Sequence, residues 1–317
     1  MVGIHRRTNL LWGLVALAVG LVLMLRALEL IPDGLYDLAE RAWPFLLVLA
    51  GLSVVLRDRV RFGSMFALVL SAGLMIGITA LAFSTRSGEL RDDYQELIEQ
   101  PIAESINQLA VNVSTLATDV ELVRTTGETR TIAGRFSGSS ESLIHLDYRE
   151  EADGRASFVL REEQSNAFPR LDAIGRGTLL LELPVGLATE VAFDGTEGTA
   201  SFNLLGLSLE RLGIDLQQGD ALVTLPAYRP LSPNVQENPG HLIVREGNIT
   251  IFVPEQVGAR LELNRQGSGI DPQYPDDTYN YLRDDVLEFR NYDSAEIQII
   301  YEITAPRGQI RLQIEGG

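Results

Sequence analysis

One stretch of the 317-residue chain gathers polar and aromatic side chains densely enough to do chemistry: Tyr274, Asp276, Asp277, Tyr279, Tyr281, Asp284 and Asp285 fall within twelve residues. Carboxylate oxygens suit Ca²⁺, and tyrosines present flat surfaces to sugars or proteins. The spacing is not that of an EF-hand loop. A ligand or partner surface therefore stands beside a plainer reading, an exposed loop whose tyrosines cover the edge of a β structure.

The other ingredients of catalysis are scattered or missing. His5, His145 and His241 lie far apart, and none stands in the His-Glu-x-x-His spacing of a zinc site. No Gly-x-Ser-x-Gly hydrolase elbow occurs, and no Gly-x-Gly-x-x-Gly sits between a strand and a helix. The chain has no Cys, which removes disulfides, thiol nucleophiles and cysteine metal sites. It has no Lys either, so Schiff-base chemistry and the P-loop lysine are excluded. Glycoside cleavage needs two carboxylates at a working separation, and nothing in the sequence places such a pair. These residues point to a protein that is not an enzyme and uses no cofactor.

The elements that must position everything else begin with three apolar runs, Leu10–Leu25, Trp43–Leu56 and Phe62–Phe83. The third is 22 residues without a charge, long enough to cross a bilayer. The first reaches spanning length if its Arg26 end is drawn to the interface by snorkelling. The 14 residues of the second leave length undecided, and charge placement decides it. Arg6 and Arg7 precede the first run, and Arg57, Arg59 and Arg61 join the second to the third. Three spans put both groups in the cytoplasm, where arginines favour lying, and turn the acidic Leu28–Arg41 loop outward. Residues 1–83 are thus expected to form a transmembrane unit with helices at about 10–28, 42–57 and 62–83. Its N-terminus is cytoplasmic and the rest of the chain extracytoplasmic. No ionisable side chain interrupts a run, which argues against an ion or substrate path.

Charge divides along the same line. Residues 1–83 carry seven Arg and five acids, net +2, whereas the remaining 234 carry 19 Arg and 38 acids, net −19. So acidic a domain repels nucleic acid, which is excluded as a partner.

Beyond Phe83, Leu90, Tyr94, Leu97, Ile98, Ile102, Ile106 and Leu109 recur at intervals of three and four, so residues 84–109 are expected to hold a juxtamembrane amphipathic helix, kinked near Pro101. From Ala110 onward short alternating segments separated by Gly, Ser, Thr and Glu turns mark residues 110–317 as an acidic all-β domain. An eight-residue unit recurs in it: glycine, apolar residues two, four and six positions later, then proline. Gly177, Gly219 and Gly247 each lead a copy ending at Pro184, Pro226 and Pro254, and Gly308 leads a fourth without the proline. Val191 and Phe193 stand to Pro184 as Leu261 and Leu263 stand to Pro254. Reused strand units stack as a solenoid, the arrangement preferred here, or pair as a β-sandwich. The dense apolar stretch Phe202–Leu212 is expected to be a central strand pair.

Two parts of the chain resemble known families. R-R-x-N-L-L-W-G-L from Arg6 and W-P-F-L-L-V-L-A-G-L from Trp43 resemble the LiaI/LiaF-like transmembrane region of bacterial membrane proteins. LPVGLATEVAFDGTEG from Leu183, FNLLGLSLERL from Phe202 and GNITIFVPEQVGARLELN from Gly247 look like the toast-rack adhesin-like β domains often attached to that region. The resemblance implies a cell-envelope protein related to LiaF, which in some bacteria restrains a membrane histidine kinase in the response to cell-wall-active antibiotics. It supplies no site motif. LiaF-like proteins are described with four helices, where three are counted here. The expectation is a non-enzymatic membrane protein whose outward β domain senses or regulates envelope stress; its partners are the lipid bilayer and a membrane protein, a histidine kinase by resemblance, or further copies of itself. The alternative is a structural, adhesin-like scaffold subunit.

Overall fold

The computed structural model describes residues 89–127, 129–166, 173, 175–231, 240–264 and 272–315, so the expected transmembrane unit lies outside the described residues. Among them no helix is long and apolar enough to cross a membrane.

The described chain opens with β1 (Tyr94–Pro101), β2 (Gln108–Arg124), β3 (Thr131–Gly138), β4 (Ser142–Glu150), β5 (Arg155–Gln164) and β6 (Gly177–Leu183). It continues with β7 (Ala188–Glu197), β8 (Ala200–Asn203), β9 (Ser208–Gln218), β10 (Ala221–Thr224), β11 (Gly240–Glu246), β12 (Ile249–Pro254) and β13 (Val257–Asn264). It ends with β14 (Tyr279–Arg283), β15 (Val286–Phe289), β16 (Ile297–Thr304) and β17 (Ile310–Glu315).

The ladders make two sheets that share β2. The first runs β1, β3, β6, the second half of β2, β8, β10, β12 and β17. The second runs β4, β5, the first half of β2, β7, β9, β11, β16, β13, β15 and β14. From β6 and β5 to β17 and β13 every pairing is parallel; β1, β3 and β4 at one end, and β15 and β14 at the other, close the stack with antiparallel strands. The core lies between the sheets in columns, because parallel register repeats the same inward position at every rung. Val120, Leu179, Ala200, Ala221, Ile249 and Ile310 form one column, and Leu160, Val113, Phe193, Ile214, Leu242, Ile303 and Leu263 another. All are buried. Phe193 meets Phe202 across the gap edge to face, with centroids 5.4 Å apart.

The stacked, all-β arrangement expected from the repeats is therefore present, and the matched positions Val191 with Leu261 and Phe193 with Leu263 do share columns. The repeat glycines stand at one corner, where the chain leaves the second sheet for the first. Gly177, Thr118, Gly198, Gly219, Gly247 and Gly308 lie one above another. A Cβ on Gly198, Gly219, Gly247 or Gly308 would fall on the carbonyl oxygen of the residue one rung away, and the first three of these have φ of +140°, +134° and +139°. Glycine alone fits both conditions. The residue after each corner is polar, and three of these tie the rungs: the Asp119 carboxylate accepts from Thr199 N (2.7 Å), Asp220 from Asn248 N (2.8 Å), and the Asn248 side-chain oxygen from Gln309 N (3.1 Å). At β2, which turns the corner without a break, buried Glu162 accepts from Leu116 N (2.7 Å) and Thr118 Oγ1 (2.8 Å) instead.

Three expectations are corrected. The helix over residues 84–109 is not formed in its described part: β1 occupies Tyr94–Pro101 and β2 starts at Gln108, so the β domain begins near Leu90 rather than Ala110. The same residues also alternate with period two, which buries Ile98 and Ile102 and turns Leu97 outward, 68% exposed. Pairing along the whole of β3 outweighs a helical stripe that Pro101 interrupts. Phe202–Leu212 is not a strand pair: β8 and β9 belong to opposite sheets, because the turn through Gly206 carries the chain across the core. Rungs also do not follow chain order throughout, since β2 lies between β6 and β8, and β16 between β11 and β13.

Replacing Gly219 by Ala should cost about 3 kcal/mol or more by combining strain with overlap, a drop of roughly 6–12 °C in the midpoint of the β signal on heating. Gly186, φ +77° but with nothing within 4 Å of an added Cβ, should lose only about 1 kcal/mol as Ala. Equal losses in circular-dichroism melts would show that corner stacking is not the limiting contact.

Candidate functional site

The inward half of each strand is consumed by the core, so recognition must use outward positions. On the first sheet these converge on a groove of ≈840 Å³ that crosses β1, β3, β6, β2 and β8. Period-two alternation supplies its floor: Leu97, Ala133 and Leu180 point outward from adjacent strands, with Thr178 and Ser201 beside them. Glu99, Glu121 and Glu182 line the same groove, with Arg135 as its one cation. Asp119, also in the lining, is committed to Thr199 N and to Arg176 at 3.6 Å. On the inner side Gly134 has no side chain to collide with the Leu180 carbonyl, which lets β3 run close against β6 beneath the floor.

A second polar centre is structural. Glu210 is buried at the register break of β9, where β7 residues Thr189 and Glu190 face Leu209 and Arg211. Its carboxylate accepts from Tyr228 Oη (2.8 Å) and Leu231 N (3.1 Å), so it holds the segment after β10 against β9. Burial, with the bond to Glu210 added, pushes the Tyr228 hydroxyl up to about 12. Burial and a bond to Glu150 push Tyr148 equally far. Tyr301, buried in its column above the bare Cα of Gly240, is raised further by desolvation alone.

The acidic tyrosine stretch is placed at the far end of the stack, where its residues are not brought to one centre. Tyr279 is buried at the start of β14, edge to face with Phe289 at 5.1 Å, and Tyr274 contacts both Tyr279 (6.3 Å) and Tyr281 (5.7 Å). Asp284 and Asp285 are the turn of the β14–β15 hairpin. Asp276 and Asp277 lie in the preceding turn; the Asp276 carbonyl accepts from Arg290 (2.7 Å), and the Asp277 carboxylate from Thr278 Oγ1 (3.1 Å). No group of three or more His, Asp or Glu able to hold a metal occurs among the described residues. Tyr279 and Tyr281 belong to β14, the edge strand of the second sheet, and Tyr274 packs beside them.

The groove escaped sequence reading for one reason. Its residues lie as much as 104 positions apart, from Leu97 to Ser201, and only the order β1, β3, β6, β2, β8 gathers them. The outward-facing alternation of Leu180 and Glu182 within a buried strand was the available signal.

The fold and groove define a class: a two-sheet parallel rack that presents an outer face, with the chain's N-terminal part bearing the apolar runs. Residues 10–55 match the LiaI-LiaF-like transmembrane region, which indicates membrane association. Among solved structures, the chain is similar to a candidate cell adhesion protein from Clostridium sporogenes, at 13% identity and a TM-score of 0.56, over 70% of this chain and 100% of that one. A candidate adhesin from Bacteroides fragilis aligns over 71% of this chain and 100% of that one, at 10% identity and a TM-score of 0.26, too low to carry an argument. No curated protein matches the chain. The first of these likenesses is one of fold, and the toast-rack-like β domain and LiaI/LiaF-like membrane region read from the sequence are both met.

A tyrosine raised from 10 to about 12 favours the folded state fully below pH 10, and that contribution disappears as pH rises through 12. Stability should therefore fall between pH 10 and 12, and Tyr228→Phe should flatten that fall while hastening exchange of the Leu231 amide. Tyrosinate absorbance from Tyr228 near pH 10 in the folded protein would contradict its burial against Glu210.

Proposed function

We propose that this chain is a non-enzymatic regulator of the bacterial cell envelope, anchored by three N-terminal spans and displaying its rack outside the cytoplasm. The observation that carries the reading is the match of residues 10–55 to the LiaI-LiaF-like transmembrane region on the same chain as a rack with an outward-facing groove. Arginine placement supports the orientation, with Arg6, Arg7, Arg57, Arg59 and Arg61 on the cytoplasmic side. In this reading the rack senses the state of the envelope and acts on a membrane protein beside it, of the histidine-kinase class or a further copy of the chain. A stiff stack suits such a task, because binding at one outer face moves the domain as a unit rather than deforming it.

A second reading, an adhesin-like scaffold subunit, is favoured by the fold shared with the Clostridium protein. Gene deletion separates the two. The regulator reading expects altered expression of an envelope-stress reporter after challenge with a wall-active antibiotic, restored by the intact chain and not by Gly219→Ala. Unchanged reporter output, with a loss of surface attachment or of a membrane complex, would favour the scaffold.

A further inference from the structure

We propose that the groove across β1, β3, β6, β2 and β8 is a docking site for an extended, positively charged peptide segment with apolar side chains at alternate positions. This deepens, and rests on, the reading of the rack as a recognition module. Five strands at ~4.8 Å spacing give a path of about 19 Å, which an extended segment of roughly six residues covers at ~3.3 Å each. Across the strands one row of the lining reads Leu97, Arg135, Leu180 and Glu121, apolar and charged by turns, and the next reads Glu99, Ala133 and Glu182. Among the described residues Glu99, Glu121 and Glu182 have no ion pair or hydrogen bond, so three carboxylates face the groove uncompensated apart from Arg135. Like charges held together repel, and a ligand that brings cations beside an apolar floor relieves that cost. The exposure of Leu97, at 68%, leaves apolar surface for such a ligand to cover.

Charge also selects among occupants. With net −19 over residues 84–317, a second copy of this domain, a phosphate-bearing polymer and an anionic lipid surface would all be repelled.

The full chain in nanodiscs of zwitterionic lipid provides the test, titrated with a labelled eight-residue peptide alternating Arg and Leu and followed by fluorescence anisotropy. Saturable binding is expected, weakened at least tenfold by the triple variant Glu99→Gln, Glu121→Gln, Glu182→Gln and by added salt. Leu180→Ser should also weaken it. The same charge removed elsewhere, in Glu190→Gln, Glu255→Gln, Glu262→Gln, should leave the affinity within twofold. Absence of binding up to millimolar peptide, equal effects of the two triple variants, or equal binding of a Glu-Leu peptide would overturn the proposal. So would self-association of the chain lost in Leu180→Ser, which would make this face an interface between copies. Because this readout involves no stress signalling, its failure leaves the regulator reading to the deletion experiment, and the reverse.

Discussion

Every central rung of the rack passes through one corner where backbone lies directly against backbone. The glycines at 198, 219, 247 and 308 sit so close to the carbonyl of the neighbouring rung that no side chain fits. That contact sets the rung spacing at the corner, and with it the register of both sheets. Once register is set, the apolar residues two and four positions on from each corner fall into columns, and the polar residues after Thr118, Gly219 and Gly247 reach the amide of the next rung. Packing follows from a steric condition at a few positions, and no disulfide contributes to it in a chain without cysteine.

The same register governs what remains outside. A strand that must put one row of side chains inward has the other row free, and in a parallel stack the free positions of successive strands line up as continuous surface. The groove over Leu97, Ala133 and Leu180 is assembled in this way from strands distant in sequence. Its Glu99, Glu121 and Glu182 carboxylates lack partners among the described residues, in contrast to Glu162 and Glu210, which are buried and hydrogen-bonded and serve the fold. These acids thus divide by environment: Glu162 and Glu210 inside tie strands and loops together, and Glu99, Glu121 and Glu182 outside give the groove its charge.

Much of the fold was legible from alternation and from the glycine-led units, because stacking repeats one steric solution and therefore one sequence pattern. Two copies went unrecognised. Gly198 leads Ala200, Phe202 and Leu204 without a proline, and Thr118 leads Val120 and Leu122 with Glu162 closing its corner. Strand order was not legible, because insertion of β2 and β16 between other rungs depends on contacts between distant segments. The segment around Leu97 misled through an accidental match to helical spacing, overridden by pairing with β3. The acidic tyrosines were conspicuous by composition, yet their places in a hairpin turn and at a sheet edge give them packing roles; the groove, with no local signature, needed the topology.

A regulatory role for the rack depends most on which side of the membrane it occupies, and the absence of cysteine allows a direct measurement. A single cysteine at Leu231, 79% exposed, or at Asp58 between the second and third apolar runs, is treated in intact cells with a membrane-impermeant maleimide. Labelling at position 231 without lysis, and at position 58 only after lysis, is the predicted result. Protection at 231 until the cells are broken would place the rack in the cytoplasm and contradict the account.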